Sequence, residues 1–213
     1  MEIEMKAILQ PSQFATLLAK KGMRSTHKLV KIHTYYSKLS SYQTRKENNE
    51  PNYRIREEDE KVFFTYKEKH VVDGVERNKE LETEVYNRDN TIAILLANGF
   101  NPYFQKQKVT FGFNEIIKEC QEIKDGAFTI SFTPALTAHV ELEIINEKIF
   151  AVEVEVIYEP PIAVATEHIY SEDEIAEAIK DWFKKEGLLN QIDDRPWQTI
   201  IEEIEDENKS RDS

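Results

Sequence analysis

Hydrophobic and charged residues alternate along much of this chain, as they do in β-strands whose two faces meet different surroundings. In the opening segment, Glu2, Glu4 and Lys6 fall on one face, while Ile3 and Met5 fall on the other. Strand-like segments recur at Lys28–Ser37, Tyr53–Glu58, Lys61–His70, Lys79–Tyr86, Phe104–Phe111, Ala127–Phe132, His139–Ile145 and Phe150–Tyr158. The pattern predicts about eight strands.

Other segments carry apolar residues at helical spacing or residues typical of helix ends. They are Ser12–Lys21, Asn90–Asn98, Ser171 to Lys185, and Pro196–Glu207. Ser171 and Glu174 form the capping box of a helix start, and glycines at 99 and 187 follow two helix ends. The stretch Asn114–Lys124 reads as a polar amphipathic piece between two strands.

These elements predict an α+β fold: a closed or nearly closed antiparallel β-barrel of about eight strands, forming a tunnel, with helices packed outside. Closure removes the sheet edges and creates an interior. We expect one tunnel domain over residues 1–190, followed by a C-terminal helix and polar tail over residues 191–213. Alternation alone leaves open whether the charged or the aliphatic faces line the interior.

The composition suits a globular chain with a sizeable core. The 213 residues are 40% hydrophobic and 32% charged, and no apolar run reaches membrane-spanning length. The net charge of −12 argues against a nucleic-acid partner, although a concave site can still collect cations for a small polyanion. The single cysteine, Cys120, and the lack of a signal-peptide pattern lead us to expect a cytoplasmic protein that binds no membrane.

Charges align at every second position on seven of the predicted strands. The aligned sets are Glu2, Glu4 and Lys6; Arg54 and Arg56; Lys67 and Lys69; Glu80, Glu82 and Glu84; Lys106 and Lys108; Glu141 and Glu143; Glu153 and Glu155. Arginines and lysines suit phosphate, whereas glutamates suit a divalent cation. The alternative is that several of these faces are ordinary solvated surface. The five histidines show no ligand spacing, and His33 is the one to follow.

These motifs, in this order, resemble the CYTH family, the triphosphate tunnel metalloenzymes, from residue 2 to about residue 187. The family includes class IV adenylyl cyclases, thiamine triphosphatases and inorganic triphosphatases. The resemblance is carried by Glu2-x-Glu4-x-Lys6, Arg54-x-Arg56, Thr65-x-Lys67, Glu80-x-Glu82, Gly99-Phe100 after a helix, Lys106-x-Lys108, Glu141-x-Glu143 and Glu153-x-Glu155.

The chain also departs from the family pattern. His33 and Ser37 stand where the family often has aspartates, and Lys108 replaces an arginine. Arg77 falls on the opposite face from Glu80, and residues 113–132 resemble an insertion. These departures concern substrate recognition more than the triphosphate site.

The resemblance implies a metal-dependent site that holds a triphosphate. Mg²⁺ or Mn²⁺ is expected on Glu2, Glu4, Glu143, Glu153 and Glu155. The expected catalytic residues are Lys6, Arg54, Arg56 and Lys67, and these bind substrate together with Lys69, Lys106, Lys108, Glu80 and Glu82. The chemistry expected from such a set is in-line phosphoryl transfer.

Three functions follow in order of preference. The first is divalent-metal-dependent hydrolysis of inorganic tripolyphosphate or a small organic or nucleoside triphosphate. It is preferred because no set of residues can be assigned to the recognition of a nucleobase. The second is a class IV-type adenylyl cyclase that converts ATP to cyclic AMP and pyrophosphate. The third is a non-catalytic barrel that binds polyphosphate or nucleotide. The expected partner is a small-molecule triphosphate, and a homodimer is compatible with each function.

Overall fold

The computed structural model describes residues 1–21, 27–39, 51–125, 129–158 and 170–211. Its strands are β1 (Glu2–Leu9), β2 (His27–Ser37), β3 (Asn52–Glu58), β4 (Lys61–Val72), β5 (Val75–Glu84), β6 (Asn101–Lys118), β7 (Gln121–Asp125), β8 (Thr129–Thr133), β9 (Leu136–Ile145) and β10 (Ile149–Ile157). Its α-helices are α1 (Pro11–Lys21), α2 (Arg88–Ala97), α3 (Glu172–Lys185) and α4 (Trp197–Arg211). None of these helices is long and apolar enough to cross a membrane.

Eight strands close into an antiparallel barrel in the order β1-β10-β9-β6-β2-β3-β4-β5, and β7 and β8 form a separate hairpin. Closure comes from β5 pairing with β1, where Glu4 lies opposite Glu76. On the other side of β1, Glu4 lies opposite Glu155 and Lys6 opposite Glu153. The predicted α+β barrel is therefore confirmed.

The aliphatic faces of β1, β9 and β10 point away from the barrel interior, towards the covering helices. The main hydrophobic core lies between these faces and the helices. Ile3 and Met5 of β1 and Val154 of β10 are at most 1% exposed, and they belong to one cluster with Ile179 and Phe183 of α3. Helix α3 covers this face because its apolar residues repeat at helical spacing behind the Ser171 capping box. The charged faces consequently turn inward, which resolves the alternative that the alternation left open.

Strand β6 is longer than the sequence pattern predicts. The strand expected to end at Phe111 continues to Lys118 and stays paired with β9. Its polar residues misled the prediction because Glu115 is not a solvated position: it accepts hydrogen bonds from Lys21 of α1 and Trp182 of α3, at 2.5 and 3.2 Å.

Strand β5 begins at Val75, four residues before the predicted start at Lys79. Asp73 and Gly74 form the tight connection from β4, with φ values of 53° and 77°. Such left-handed residues are typical of two-residue hairpins, so the paired strand extends back to the turn. This extension places Glu76 inside the barrel, close to Lys6.

Helix α4 packs against one end of the barrel. Its Ile200 and Ile201 join a buried cluster with Ile145, Ile149 and Ala151, residues at the ends of β9 and β10. Trp197, at the start of the helix, packs at the edge of this cluster. The division into residues 1–190 and 191–213 stays a prediction.

Candidate active site

The barrel encloses a cavity of about 1090 Å³ lined by charged side chains. The predicted site residues that line it are Glu2, Glu4, Arg54, Arg56, Lys67, Lys69, Glu80, Glu82, Lys106, Lys108, Glu153 and Glu155. Two further predicted residues, Lys6 and Glu143, lie buried in the wall, at 4% and 0% exposure. The register of inward-facing strands thus gathers the predicted set around one space.

Charge of opposite sign occupies opposite halves of this cavity. The four consecutive strands β5, β1, β10 and β9 form the acidic wall, whose lining glutamates are Glu76, Glu80, Glu82, Glu2, Glu4, Glu153, Glu155 and Glu141. The four consecutive strands β6, β2, β3 and β4 form the basic wall, whose lining cations are Lys106, Lys108, Lys31, Arg54, Arg56, Lys67 and Lys69. Among the inward-facing charged side chains of these strands, Lys6 on β1 and Glu58 on β3 are the exceptions.

The first carboxylate cluster joins Glu2, Glu4 and Glu155, whose oxygens can lie within 4.8 Å of one another. Burial and the neighbouring Glu2 raise the pKa of Glu155 to about 9. Burial opposes ionisation of Glu2 as well, but Lys67 overcomes it and lowers the pKa of Glu2 to about 2. Burial raises the pKa of Glu4 well above its usual value. Without a metal ion, Glu155 therefore holds a proton at neutral pH while Glu2 is ionised beside Lys67.

The second carboxylate cluster joins Glu141, Glu143 and Glu153, again with oxygens within 4.8 Å. Lys108 contacts all three, at 3.3 Å from Glu141 and 3.2 Å from Glu153, and also bonds Glu143. Burial, with Glu153 adjacent, raises the pKa of Glu143 to about 8, and its Oε2 has no partner in the described part of the chain. The structure thus divides the five predicted metal ligands between two clusters, with Glu2, Glu4 and Glu155 in the first and Glu143 and Glu153 in the second.

The arginines of β3 and Lys67 of β4 pair with the glutamates of β5 and β1. Arg54 contacts Glu80 at 2.9 Å, and Arg56 contacts Glu82 at 2.6 Å. Lys67 contacts Glu2, Glu4 and Glu80 at 2.8, 3.2 and 3.4 Å. Glu80 and Glu82 therefore act in this structure as partners of the cations. Among the described residues the Nε atoms of both arginines form no hydrogen bond, although the Arg56 Nε lies 3.6 Å from a carboxylate oxygen of Glu58.

Several residues of the site were missed by the sequence prediction, among them Lys31, Glu76 and Trp197. Glu76 accepts a hydrogen bond from Lys6 at 2.8 Å and also bonds Lys69. The sequence does contain a signal for Glu76, because Glu76 falls on the same two-residue period as Glu80 and Glu82. It was missed because the predicted strand began at Lys79, three residues after Glu76. Trp197 of α4 donates to Glu153 at 2.8 Å, and its ring lies 4.7 Å from the Lys106 Nζ. The strand patterns could not predict Trp197, because it lies on a helix that is distant in the sequence.

Lys106 and His33 are buried in the basic wall. Neither ring nitrogen of His33 forms a hydrogen bond in the described ranges, and the Lys106 Nζ lies over the Trp197 ring, 4.7 Å from its centroid. Burial, followed by the charge of Lys108, lowers the pKa of Lys106 to about 7. Burial, followed by Arg54, holds the pKa of His33 well below its usual value. This part of the wall carries an excess of positive charge that an anion would relieve.

The donor chemistry fits a hard divalent cation. Mg²⁺ and Mn²⁺ prefer carboxylate oxygens, and each cluster offers three that converge within 4.8 Å. Burial raises the pKa of Glu4 and of Glu155, and a divalent cation bound here would displace the protons that these carboxyls hold. Glu2, Glu4 and Glu155 therefore form the stronger candidate site, because Lys108 already contacts every member of the second cluster.

Searches with the sequence find no match among models of protein families and no significant match among curated proteins. The fold does match solved structures. A conserved hypothetical protein from Pyrococcus furiosus superposes with a TM-score of 0.63 at 17% identity, covering 92% of this chain and 98% of its own.

Two further matches carry functional descriptions. A candidate adenylate cyclase from Vibrio parahaemolyticus gives a TM-score of 0.58 at 11% identity, covering 94% of this chain and 97% of its own. A candidate adenylyl cyclase from Hippeastrum, described as having a dominant triphosphatase activity, gives 0.51 at 13% identity, covering 88% and 89%. Identities this low establish the fold alone. The chain shares its fold with these proteins, which is consistent with the CYTH-like barrel expected from the sequence.

Proposed function

We propose that this protein is a divalent-metal-dependent triphosphatase that hydrolyses inorganic tripolyphosphate or a small organic triphosphate inside the barrel. The observation that carries the proposal is the separation of the cavity into an acidic wall and a basic wall. A triphosphate bears about four negative charges within a few ångströms, so it suits the basic wall and is repelled by the acidic one. A divalent cation between the ligand and the acidic wall removes that conflict.

Without a ligand, the two walls neutralise each other through ion pairs. Arg54 and Arg56 bind glutamates of β5, and Lys67 binds Glu2 and Glu4. Ligand binding then amounts to an exchange of partners, in which phosphoryl oxygens replace carboxylates on the cations. The exchange keeps these cations paired, and the Glu2 and Glu4 carboxylates that Lys67 releases would be free to bind the divalent cation.

The reaction proposed is attack by water on the terminal phosphorus. The new P–O bond forms as the bond to the bridging oxygen breaks, and the proton lost by the water passes to solvent. The products are orthophosphate and pyrophosphate from tripolyphosphate, or orthophosphate and the organic diphosphate from an organic triphosphate. When bound, Mg²⁺ or Mn²⁺ would neutralise charge on the reacting phosphoryl oxygens. Arg54 and Arg56 can bind these oxygens with planar guanidinium groups and hold the phosphate chain in line, while Lys67, Lys106 and Lys108 contribute point charges.

A second candidate is an adenylyl cyclase, and one specific observation favours it. Tyr35, Tyr103, Phe104 and Trp197 line part of the cavity. The Tyr35 ring lies 5.4 Å from Phe104 and 6.3 Å from Tyr103, measured between centroids. Aromatic rings can stack on a nucleobase. The Vibrio match is described as a candidate cyclase, which agrees with this alternative, whereas the Hippeastrum match is described as having a dominant triphosphatase activity.

The discriminating experiment supplies tripolyphosphate and ATP in parallel to the purified protein with Mg²⁺ or Mn²⁺. Orthophosphate release from tripolyphosphate supports the triphosphatase. Cyclic AMP with pyrophosphate from ATP supports the cyclase and contradicts our proposal. Tight binding of both compounds without turnover would identify a non-catalytic binding barrel.

A further inference from the structure

His33 lies in the middle of the basic wall with both ring nitrogens unpartnered. The residue is 2% exposed, and neither Nδ1 nor Nε2 forms a hydrogen bond within the described ranges. Strand β2 lies between β6 and β3, so His33 sits opposite Lys106 on one side and Arg56 on the other. A buried polar group without a partner is uncommon and costs free energy, and at the wall of a ligand cavity it indicates a partner that arrives with the ligand.

The charged surroundings of His33 are positive on both sides. The cations that act on it are Arg54 and Arg56 from β3 and Lys106 and Lys108 from β6. On its own strand, the Tyr35 ring lies 6.4 Å away between centroids. Burial and these cations keep the imidazole neutral in the ligand-free cavity, so one ring nitrogen carries a proton and the other carries a lone pair.

We propose that His33 is a phosphate-binding residue whose ring takes up a proton when the triphosphate enters the cavity. The inference rests on the proposed function, since it needs a polyanion beside the basic wall. Several negative charges next to the ring outweigh the neighbouring cations and reverse the local potential. The second nitrogen then takes a proton from solvent, and both N–H groups can donate to phosphoryl oxygens.

Proton uptake gives a defined sign to the pH dependence of binding. The pKa of His33 is depressed in the free protein, and on this proposal it rises in the complex. Between those two values the complex holds one more proton than the separated partners. The affinity therefore falls as pH rises through that window, by up to tenfold per pH unit. The titration of the ligand and that of Lys106 add to the pH dependence of the affinity. The contribution of His33 is therefore measured as the difference in pH dependence between the wild type and His33→Gln.

The direct test is ¹⁵N NMR of the imidazole rings, with Mg²⁺ and the bis-methylene analogue of tripolyphosphate, whose P–C bonds resist hydrolysis. The chain has five histidines, so His33→Gln identifies the His33 signals by their loss. We expect a neutral ring in the free protein and a charged ring in the complex near pH 7. His70, exposed on the outer face of β4, serves as the internal reference.

Affinities measured between pH 6 and pH 8 complete the test. The wild-type dissociation constant should rise several-fold more over this range than that of His33→Gln, and His70→Gln should behave like the wild type. A His33 ring that stays neutral in the saturated complex would overturn this inference and leave the triphosphatase intact. A wild-type protein that does not bind the analogue would overturn both. The wild-type spectrum decides the matter even if His33→Gln folds poorly.

Discussion

At the scale of single residues, the candidate metal site depends on carboxylates whose environments push their pKa values apart. Glu2 ionises readily beside Lys67, whereas burial and Glu2 keep Glu155 protonated near neutral pH. A pair that shares one proton in this way offers a divalent cation an exchange, in which the cation displaces the proton. The unusual pKa values thereby identify the residues on which activity should depend most.

We expect Glu4→Gln and Glu155→Gln each to abolish metal-dependent phosphate release while leaving the fold intact. The amide keeps the shape of the side chain but removes the charge that a divalent cation needs. Phosphate release should fall at least a hundredfold, and the circular dichroism spectrum and melting temperature should stay close to those of the wild type. Glu68→Gln, whose side chain bonds Tyr66 and does not line the cavity, is the matched control. Near-normal turnover in both site variants would contradict the assignment.

We expect Lys106 to lower the stability of the ligand-free protein, because its charge is buried in the cavity that we propose as an anion-binding site. Its depressed pKa, about 7, means that the folded protein holds fewer protons than the unfolded chain between pH 7 and the ordinary lysine pKa of 10.5. The destabilisation by Lys106 is therefore greatest below pH 7 and fades as pH rises. Lys106→Met should raise the free energy of unfolding at pH 7 by about 1 kcal/mol or more, and the gain should shrink by pH 9.

Urea unfolding at the two pH values measures this difference. The control is Lys79→Met, because Lys79 lies on β5 with its side chain 63% exposed and should show no such pH-dependent gain. A Lys106→Met protein that is less stable than the wild type at pH 7 would show that the lysine is already well paired.

At the scale of elements, the sequence predicted most strands and helices, and its misses have physical causes. The β6 prediction stopped early because Glu115 looks solvated in the sequence but bonds Lys21 and Trp182 in the fold. The β5 prediction began late, because Arg77 and Asn78 interrupt the simple alternation near the Asp73-Gly74 turn. The local sequence pattern carries no information on side chains of other elements that contact a strand in the folded protein.

Helix α4 should stabilise the barrel as well as contribute Trp197 to the cavity. Ile200 is 2% exposed and packs with Ile145, Ile149 and Ala151 at the barrel end. Ile200→Ala should lower the free energy of unfolding by about 2–5 kcal/mol, the usual cost of a large-to-small change in a core. Glu205→Ala, exposed on the same helix, should change it by less than about 0.5 kcal/mol.

Thermal or urea unfolding followed by far-ultraviolet circular dichroism measures both variants. If Ile200→Ala were as stable as Glu205→Ala, α4 would not be an integral part of the folded barrel in solution.

At the scale of the whole molecule, the sequence pattern alone was ambiguous about which faces point inward. Alternating strands such as Glu2–Ala7 suit either orientation, and only the helices decide the matter, because α3 needs the aliphatic face of β1 as its packing surface. The separation into an acidic wall and a basic wall was also beyond local reasoning. It depends on the strand order around the closed barrel, which places β5 beside β1 and β6 beside β2.

The central claim is that this charge-separated cavity hydrolyses a triphosphate with the help of a divalent cation. The most direct test is a ³¹P NMR time course of tripolyphosphate with the wild-type protein and Mg²⁺ or Mn²⁺. We predict that the tripolyphosphate signals are replaced by orthophosphate and pyrophosphate in equal amounts, and that chelation of the metal stops the reaction. An unchanged spectrum with stoichiometric protein and saturating metal would contradict it.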